Sequence, residues 1–124
     1  MTAPGWMNAA IGEFGRAAGL SGLALSGQGT VALRFETGAA LRFEYTGTEL
    51  VMAVTFPAVS DLKRLLSAAH PDARLGARIR AGIMPKTADG LLAVRLAERD
   101  VTLPHLNTVF ALLWRLASEI GGAK

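Results

Sequence analysis

The sequence contains no cysteine and only two histidines, and these shortages exclude several classes of protein. Without cysteine the chain cannot form a disulfide scaffold, a zinc finger or a thiol nucleophile. Neither His70 nor His105 belongs to a metal-binding or catalytic spacing pattern, so we interpret both as surface or capping residues. The glycine-rich stretch 26–29 lacks the Lys-Ser/Thr pair of a phosphate-binding loop. The sequence therefore predicts a protein that is not an enzyme, with no catalytic residue, cofactor or metal.

Long hydrophobic runs are missing as well. No apolar stretch approaches the roughly 18 residues that a membrane span requires, and residues 1–8 lack the basic cluster of a signal peptide. Hydrophobic residues nevertheless make up 51% of the chain, which excludes a disordered segment. We expect a soluble cytoplasmic protein, folded as a single domain over residues 1–124, with residues 1–5 and 121–124 mobile.

The pattern of apolar residues predicts three helices and five strands. A period near 3.6 indicates helices over residues 7–20, about 59–69 and 103–120, and Thr102 is a candidate N-cap of the last. Alternation, or a short apolar run, indicates strands over 30–36, 40–45, 50–56, 76–84 and 91–97. Successive strands with short turns imply an antiparallel sheet. The predicted fold class is α+β, an antiparallel five-stranded sheet with three helices in the order α-β-β-β-α-β-β-α.

Arginine dominates the cations of the chain, which has a net charge of +3 and a sequence pI near 10.0. Five arginines fall on the more polar faces of predicted strands: Arg34, Arg42, Arg78, Arg80 and Arg95. The aromatic residues Phe35, Phe43 and Tyr45 alternate to the other face, whereas an RNA-stacking sheet needs aromatic rings and cations together. This alternation favours a solvated arginine face. Arg34 with Glu44, or Glu36 with Arg42, could pair across the first hairpin.

The order of elements resembles a class I type III secretion chaperone of the Tir-chaperone group. Three stretches carry the likeness: residues 11–20 resemble that family's first helix, residues 30–57 its three-stranded meander ending in proline, and residues 101–120 its last helix. The resemblance implies a small cytosolic homodimer without ATPase activity. Such a chaperone binds the N-terminal segment of a secreted effector, or another secretion protein, and keeps it extended for export.

The resemblance also implies two sets of site residues. The dimer contact would use the second helix and the fourth strand, and the cargo surface would use the first helix and the sheet. The dimer residues implied are Leu62, Leu65, Leu66, Ala77, Ile79 and Ala81, and the partner-binding residues are Ile11, Phe14, Leu33 and Phe43. On this basis Ile79→Asp should break the dimer and Phe14→Glu should lower cargo binding. Each apolar residue is equally compatible with a place in the core.

The basic charge departs from the family, whose members are usually acidic. It keeps open a second hypothesis, a basic α+β module that binds nucleic acid or an acidic protein through the arginine face of the sheet. A third, a small enzyme with substrate between sheet and helices, lacks a catalytic cluster. The expected partners are a secreted protein and a second copy of the chain, with nucleic acid disfavoured.

Overall fold

One antiparallel sheet carries the three helices of the chain. The computed structural model describes residues 2–20, 23–57, 62–67, 71–72, 77–84, 86 and 89–120. The elements are α1 (Gly5–Ala17), β1 (Thr30–Arg34), β2 (Ala40–Tyr45), β3 (Glu49–Phe56), α2 (Leu62–Ser67), β4 (Pro71–Asp72), β5 (Ala77–Ile83), β6 (Gly90–Ala97), a 3-10 helix (Glu98–Asp100) and α3 (Leu103–Ile120).

The strands lie in the order β1-β2-β3-β6-β5-β4, and all neighbours are antiparallel. Five main strands and three helices follow each other as the sequence predicted, so the predicted fold class is confirmed. The two-residue strand β4 adds to the edge of the sheet beside β5, at a position where the sequence indicated only the end of the second helix. The strand β1 forms the opposite edge.

The helices in the described part of the chain pack on one face of the sheet. The side chains of Met52 and Val54 alternate with Ala53 and Thr55 along β3, and Met52 and Val54 belong to the core cluster that the helices complete. Ala53 and Thr55 are buried but lie outside that cluster. We call the side of the sheet that carries Ala53 and Thr55 the open face. Alternation along antiparallel strands then assigns every strand residue to one face.

The helix α1 ends at Ala17, three residues before the expected Leu20, and a glycine follows the helix end. Gly19 has φ +79°, a conformation that side chains rarely adopt. The N–H of Leu20 donates to the carbonyl of Gly15 at 2.6 Å, and the N–H of Gly19 donates to the carbonyl of Arg16 at 3.2 Å. These two bonds form a Schellman motif, which satisfies carbonyls that the end of a helix leaves unpaired.

The predicted bounds of α3 match the structure, since its apolar face is continuous and its cap is local. The side-chain oxygen of Thr102 accepts a hydrogen bond from the N–H of His105 at 3.4 Å. The carbonyl of Thr102 accepts from the N–H of Leu106 at 2.9 Å. Thr102 is therefore the N-cap, as the sequence predicted.

The predicted ion pairs of the first hairpin were wrong. Arg34 lies opposite Ala40, and Glu44 lies opposite Thr30. The hairpin closes at Phe35, whose N–H donates to the carbonyl of Ala39 at 2.8 Å. This closure places Ala40 opposite Arg34, four residues before Glu44, and so separates the expected partners.

The N-terminal residues contact the body of the fold. The hydroxyl of Thr2 donates to the carbonyl of Gly27 at 3.1 Å, and Ala3 is buried. Residues 121–124 lie outside the described part of the chain, as do Ser60 and His70 near the second helix. The expected mobility of the two ends stays a prediction.

Candidate partner-binding surfaces

Five aromatic rings form a continuous chain from the core to the β1 edge of the sheet. Phe43 and Phe14 meet edge to face with their centroids 6.0 Å apart, and Phe14 meets Phe110 at 5.5 Å. Phe110 then lies 5.7 Å from Trp114, and Trp114 lies 5.0 Å from Phe35. Edge-to-face pairs of this kind contribute about 0.5–1.5 kcal/mol each beyond the area they bury. The rings therefore fix the position of α1 and α3 on the sheet.

The outer end of this chain is only partly covered. Because β1 is an edge strand, its apolar side chains have a neighbouring strand on one side only. We define the aromatic rim as the apolar residues that pack against the core at this edge and remain partly exposed. They are Val31, Leu33, Phe35, Phe110 and Trp114.

The structure divides the four predicted partner-binding residues. Ile11, Phe14 and Phe43 are fully buried in the core, with at most 1% of their surface exposed. They are buried because the helices α1 and α3 close over the inner strands, which is the place in the core that the sequence left open. A contact between these three and a partner stays a prediction that would require the core to open. Leu33 is the member that keeps accessible surface, in the aromatic rim.

The predicted dimer residues divide in the same way. Leu65 on α2 and Ile79 on β5 are fully buried within one chain. Leu66 points outward with 51% of its surface exposed, and Ala81 is half-buried. The side chains of Leu62 and Ala77 lie outside the described part of the structure. Their dimer role stays a prediction, as it does for the other four.

Sequence reasoning missed the part of the aromatic rim that lies on α3. It placed Phe110 on the apolar face of the last helix and gave Trp114 no role. The available signal was the spacing of these two rings, four residues apart on one helix, which places them side by side. Their contact with Phe35 could not be deduced, because it depends on how α3 crosses the sheet.

The open face carries the arginines. Alternation along the strands places Arg34, Arg42, Arg78, Arg80 and Arg95 there. The aromatic residues Phe43 and Tyr45 lie on the helix-covered face, which confirms the separation of rings and cations that the sequence predicted.

One titratable group near the sheet has a shifted pKa. The hydroxyl of Tyr45 donates to Oε2 of Glu98 at 2.7 Å and lies 2.9 Å from the carbonyl of Gly47. The hydrogen bond to Glu98 raises the pKa of Tyr45 above its ordinary value of 10.0, and burial and the negative charge of Glu98 add to the shift. The tyrosine stays protonated at neutral pH and links the end of β2 to the 3-10 helix.

The described residues contain neither a metal-binding cluster nor a membrane-spanning helix. Between residues 2 and 120, apart from the undescribed gaps, no group of three or more His, Asp or Glu could hold a metal ion. Within the same part of the chain, no helix is long and apolar enough to cross a membrane.

Residues 6–121 match the family model of the type III secretory system chaperone SycN. The match spans nearly the whole chain, and the chain belongs to this family of chaperones. Family membership confirms the class that the element order suggested and the expectation of a protein that is not an enzyme.

Solved structures of low sequence identity share the fold. A chain of the ExsC–ExsE complex superposes with a TM-score of 0.76 at 18% identity, with 100% of both chains covered. The Yersinia pestis chaperone SycH, in complex with a fragment of YscM2, gives a TM-score of 0.70 at 19% identity, covering 92% of this chain and 98% of that one. The ExoT–SpcS complex of Pseudomonas aeruginosa gives 0.68 at 14% identity, covering 95% and 99%. No curated protein matches the sequence.

Proposed function

We propose that this chaperone binds the N-terminal segment of a type III secreted protein in the cytoplasm and keeps that segment extended for export. The aromatic rim is the observation that carries the proposal. Partly exposed aromatic and aliphatic side chains beside an open strand edge suit a segment that arrives unfolded. Support also comes from two similar structures, the type III secretion chaperone SycH with a fragment of YscM2 and the HopA1–SchA chaperone–effector complex.

The edge strand β1 supplies the second half of the proposed site. Its outer backbone groups have no strand partner within the described sheet, whose order begins with β1. An extended segment could pair with these groups while its apolar side chains contact Leu33 and Trp114. The area buried on binding offsets the entropy that the segment loses on ordering.

Leu33→Asp should lower affinity for the secreted partner about tenfold or more, because it places a charge in an apolar contact. The measurement is capture of secreted proteins from a lysate of secretion-induced bacteria, followed by protease treatment and identification of the protected segment. Ala9→Asp is the matched control, since Ala9 is exposed on α1 and lies outside the aromatic rim. Equal capture by the wild type and Leu33→Asp would contradict the proposed site.

We further propose that the chaperone is a homodimer and that α2 lies in its interface. Leu66 on α2 is 51% exposed, Ile83 at the end of β5 is 41% exposed, and both are large apolar side chains. Exposed residues of this kind are commonly covered by a second copy. Ala81, half-buried on the same face of β5 as Ile83, lies between the core and this surface.

Leu66→Asp should convert the dimer to a monomer, because an unpaired charge in an apolar interface is strongly unfavourable. Trp6→Asp is the control: Trp6 is also a large exposed side chain, with 48% of its surface accessible, but it lies on α1. Light scattering gives the mass of each variant. A Leu66→Asp protein that stays dimeric would place the interface elsewhere.

A further inference from the structure

The open face concentrates the positive charge of the chain. Its described strand residues include five arginines and two glutamates, Glu44 and Glu49. Their summed charge of +3 equals the net charge of the whole protein. Glu49 is already paired, with its Oε1 3.2 Å from Nη1 of Arg95. Within the described residues, the other four arginines make no ion pair.

Small side chains form the floor between these arginines. One row across the sheet reads Arg42, Ala53, Ala93 and Arg80, as the strand register shows. The next row contains Ala40, Thr55, Leu91 and Gly82. Ala40 and Thr55 are nearly inaccessible although no described helix packs on this side. A ligand on this side would therefore contact the arginine side chains and not the floor.

Arg42 is only partly exposed, and one donor of its guanidinium is unsatisfied. Its Nε atom is buried and makes no hydrogen bond. A buried donor without an acceptor is unfavourable, and such atoms are rare in native structures. A carboxylate that reached Arg42 from outside would accept from the guanidinium in the geometry arginine favours.

We propose that the open face binds an acidic, extended segment of the protein that this chaperone binds, with carboxylates on Arg42 and Arg80. The proposal rests on the proposed chaperone function and adds the charge of the partner. A second copy of the chain is disfavoured, since like-charged faces repel each other. Nucleic acid is disfavoured because the aromatic rings that would stack on bases lie on the other face.

The spacing of the two arginines defines the spacing of the carboxylates. Arg42 and Arg80 are separated by three strand-to-strand spacings across the row. At about 4.8 Å per spacing, their Cα atoms lie about 14 Å apart. An extended chain advances about 3.4 Å per residue, so about four residues cross this distance. Side chains at i and i+4 of an extended segment point to the same side. The face therefore fits acidic residues at positions i and i+4.

The test uses a synthetic peptide without apolar anchors, which separates it from the aromatic rim. The probe is a fluorescent serine–threonine peptide with glutamates at i and i+4, and the comparison peptide has the two glutamates adjacent. Fluorescence anisotropy at low salt should show tighter binding of the spaced peptide. The double variant Arg42→Gln/Arg80→Gln should weaken its binding about tenfold or more. Capture of the secreted partner by the wild type and Leu33→Asp is a separate measurement. Either the rim proposal or the arginine proposal can therefore be contradicted without the other.

The matched control is Arg99→Gln/Arg115→Gln. Both residues are exposed and lie outside the sheet, and this variant loses the same two positive charges. It should retain the affinity of the wild type for the spaced peptide. An equal loss in both double variants would mean that net charge alone drives binding and would overturn the site. The site would also be overturned if single-stranded oligothymidine bound more tightly than the peptide and Arg42→Gln/Arg80→Gln abolished that binding. It would be overturned as well if the peptide did not bind.

Discussion

Phe14→Ala should lower the free energy of unfolding by about 3–5 kcal/mol, the usual cost of removing a fully buried phenylalanine. The ring of Phe14 has no exposed surface and joins Phe43 to Phe110, with interplanar angles of 78° and 77°. Its loss leaves a cavity where the sheet, α1 and α3 meet. A single domain is stable by about 5–15 kcal/mol, so denaturant unfolding will detect the change easily.

Glu13→Ala is the control for this prediction. Glu13 precedes Phe14 on α1 and is exposed, so its replacement should change stability by less than about 0.5 kcal/mol. If Phe14→Ala were equally mild and instead weakened partner binding, Phe14 would be a contact residue, as the family resemblance implied, and the position of α1 would be wrong.

Gly15→Ala should lower the free energy of unfolding by about 2 kcal/mol, in the range typical of overpacking. A Cβ atom at this position would lie 2.6 Å from the carbonyl oxygen of Leu20 and 3.0 Å from Cβ of Leu23. Neither atom can yield easily, since Leu20 closes the Schellman motif and Leu23 is buried. The backbone of α1 at Gly15 is therefore closely approached by Leu20 and Leu23.

Gly12→Ala is the matched substitution one turn earlier on α1. The added Cβ would lie 3.7 Å from Nη1 of Arg16 and 3.8 Å from the carbonyl of Leu23, both ordinary contacts. Alanine favours a helix over glycine by about 0.5–1 kcal/mol, so this variant should be more stable than the wild type. Chemical unfolding of the two variants should give shifts of opposite sign. Two shifts of the same sign would contradict the packing of α1 against Leu20 and Leu23.

Most of the fold could be predicted because the signals are local. The apolar face of α3 repeats over five turns and begins at a threonine cap, so its bounds were correct. The register of the first hairpin was wrong, since it depends on a backbone bond between Phe35 and Ala39 that the side-chain pattern does not encode. The strand β4 was not predicted, because two residues are too few to show an alternating pattern.

The sites were harder to predict than the fold. Alternation shows which face of a strand is apolar, but it does not show whether another element covers that face. Phe43 and Leu33 have the same pattern, yet Phe43 is buried and Leu33 is partly exposed, because only Leu33 lies on an edge strand. The placement of the arginines together on one face was predictable, since strand alternation separates the two faces of a sheet.

Hydrogen–deuterium exchange of the chaperone, alone and saturated with its secreted partner, tests the central claim most directly. If the partner binds along the aromatic rim and pairs with the edge strand β1, amide exchange in β1 should slow on binding. The reason is that its outer N–H groups then donate hydrogen bonds to the partner. The same experiment with Leu33→Asp should show no such protection. Unchanged exchange of β1 in the saturated wild-type complex would contradict the account.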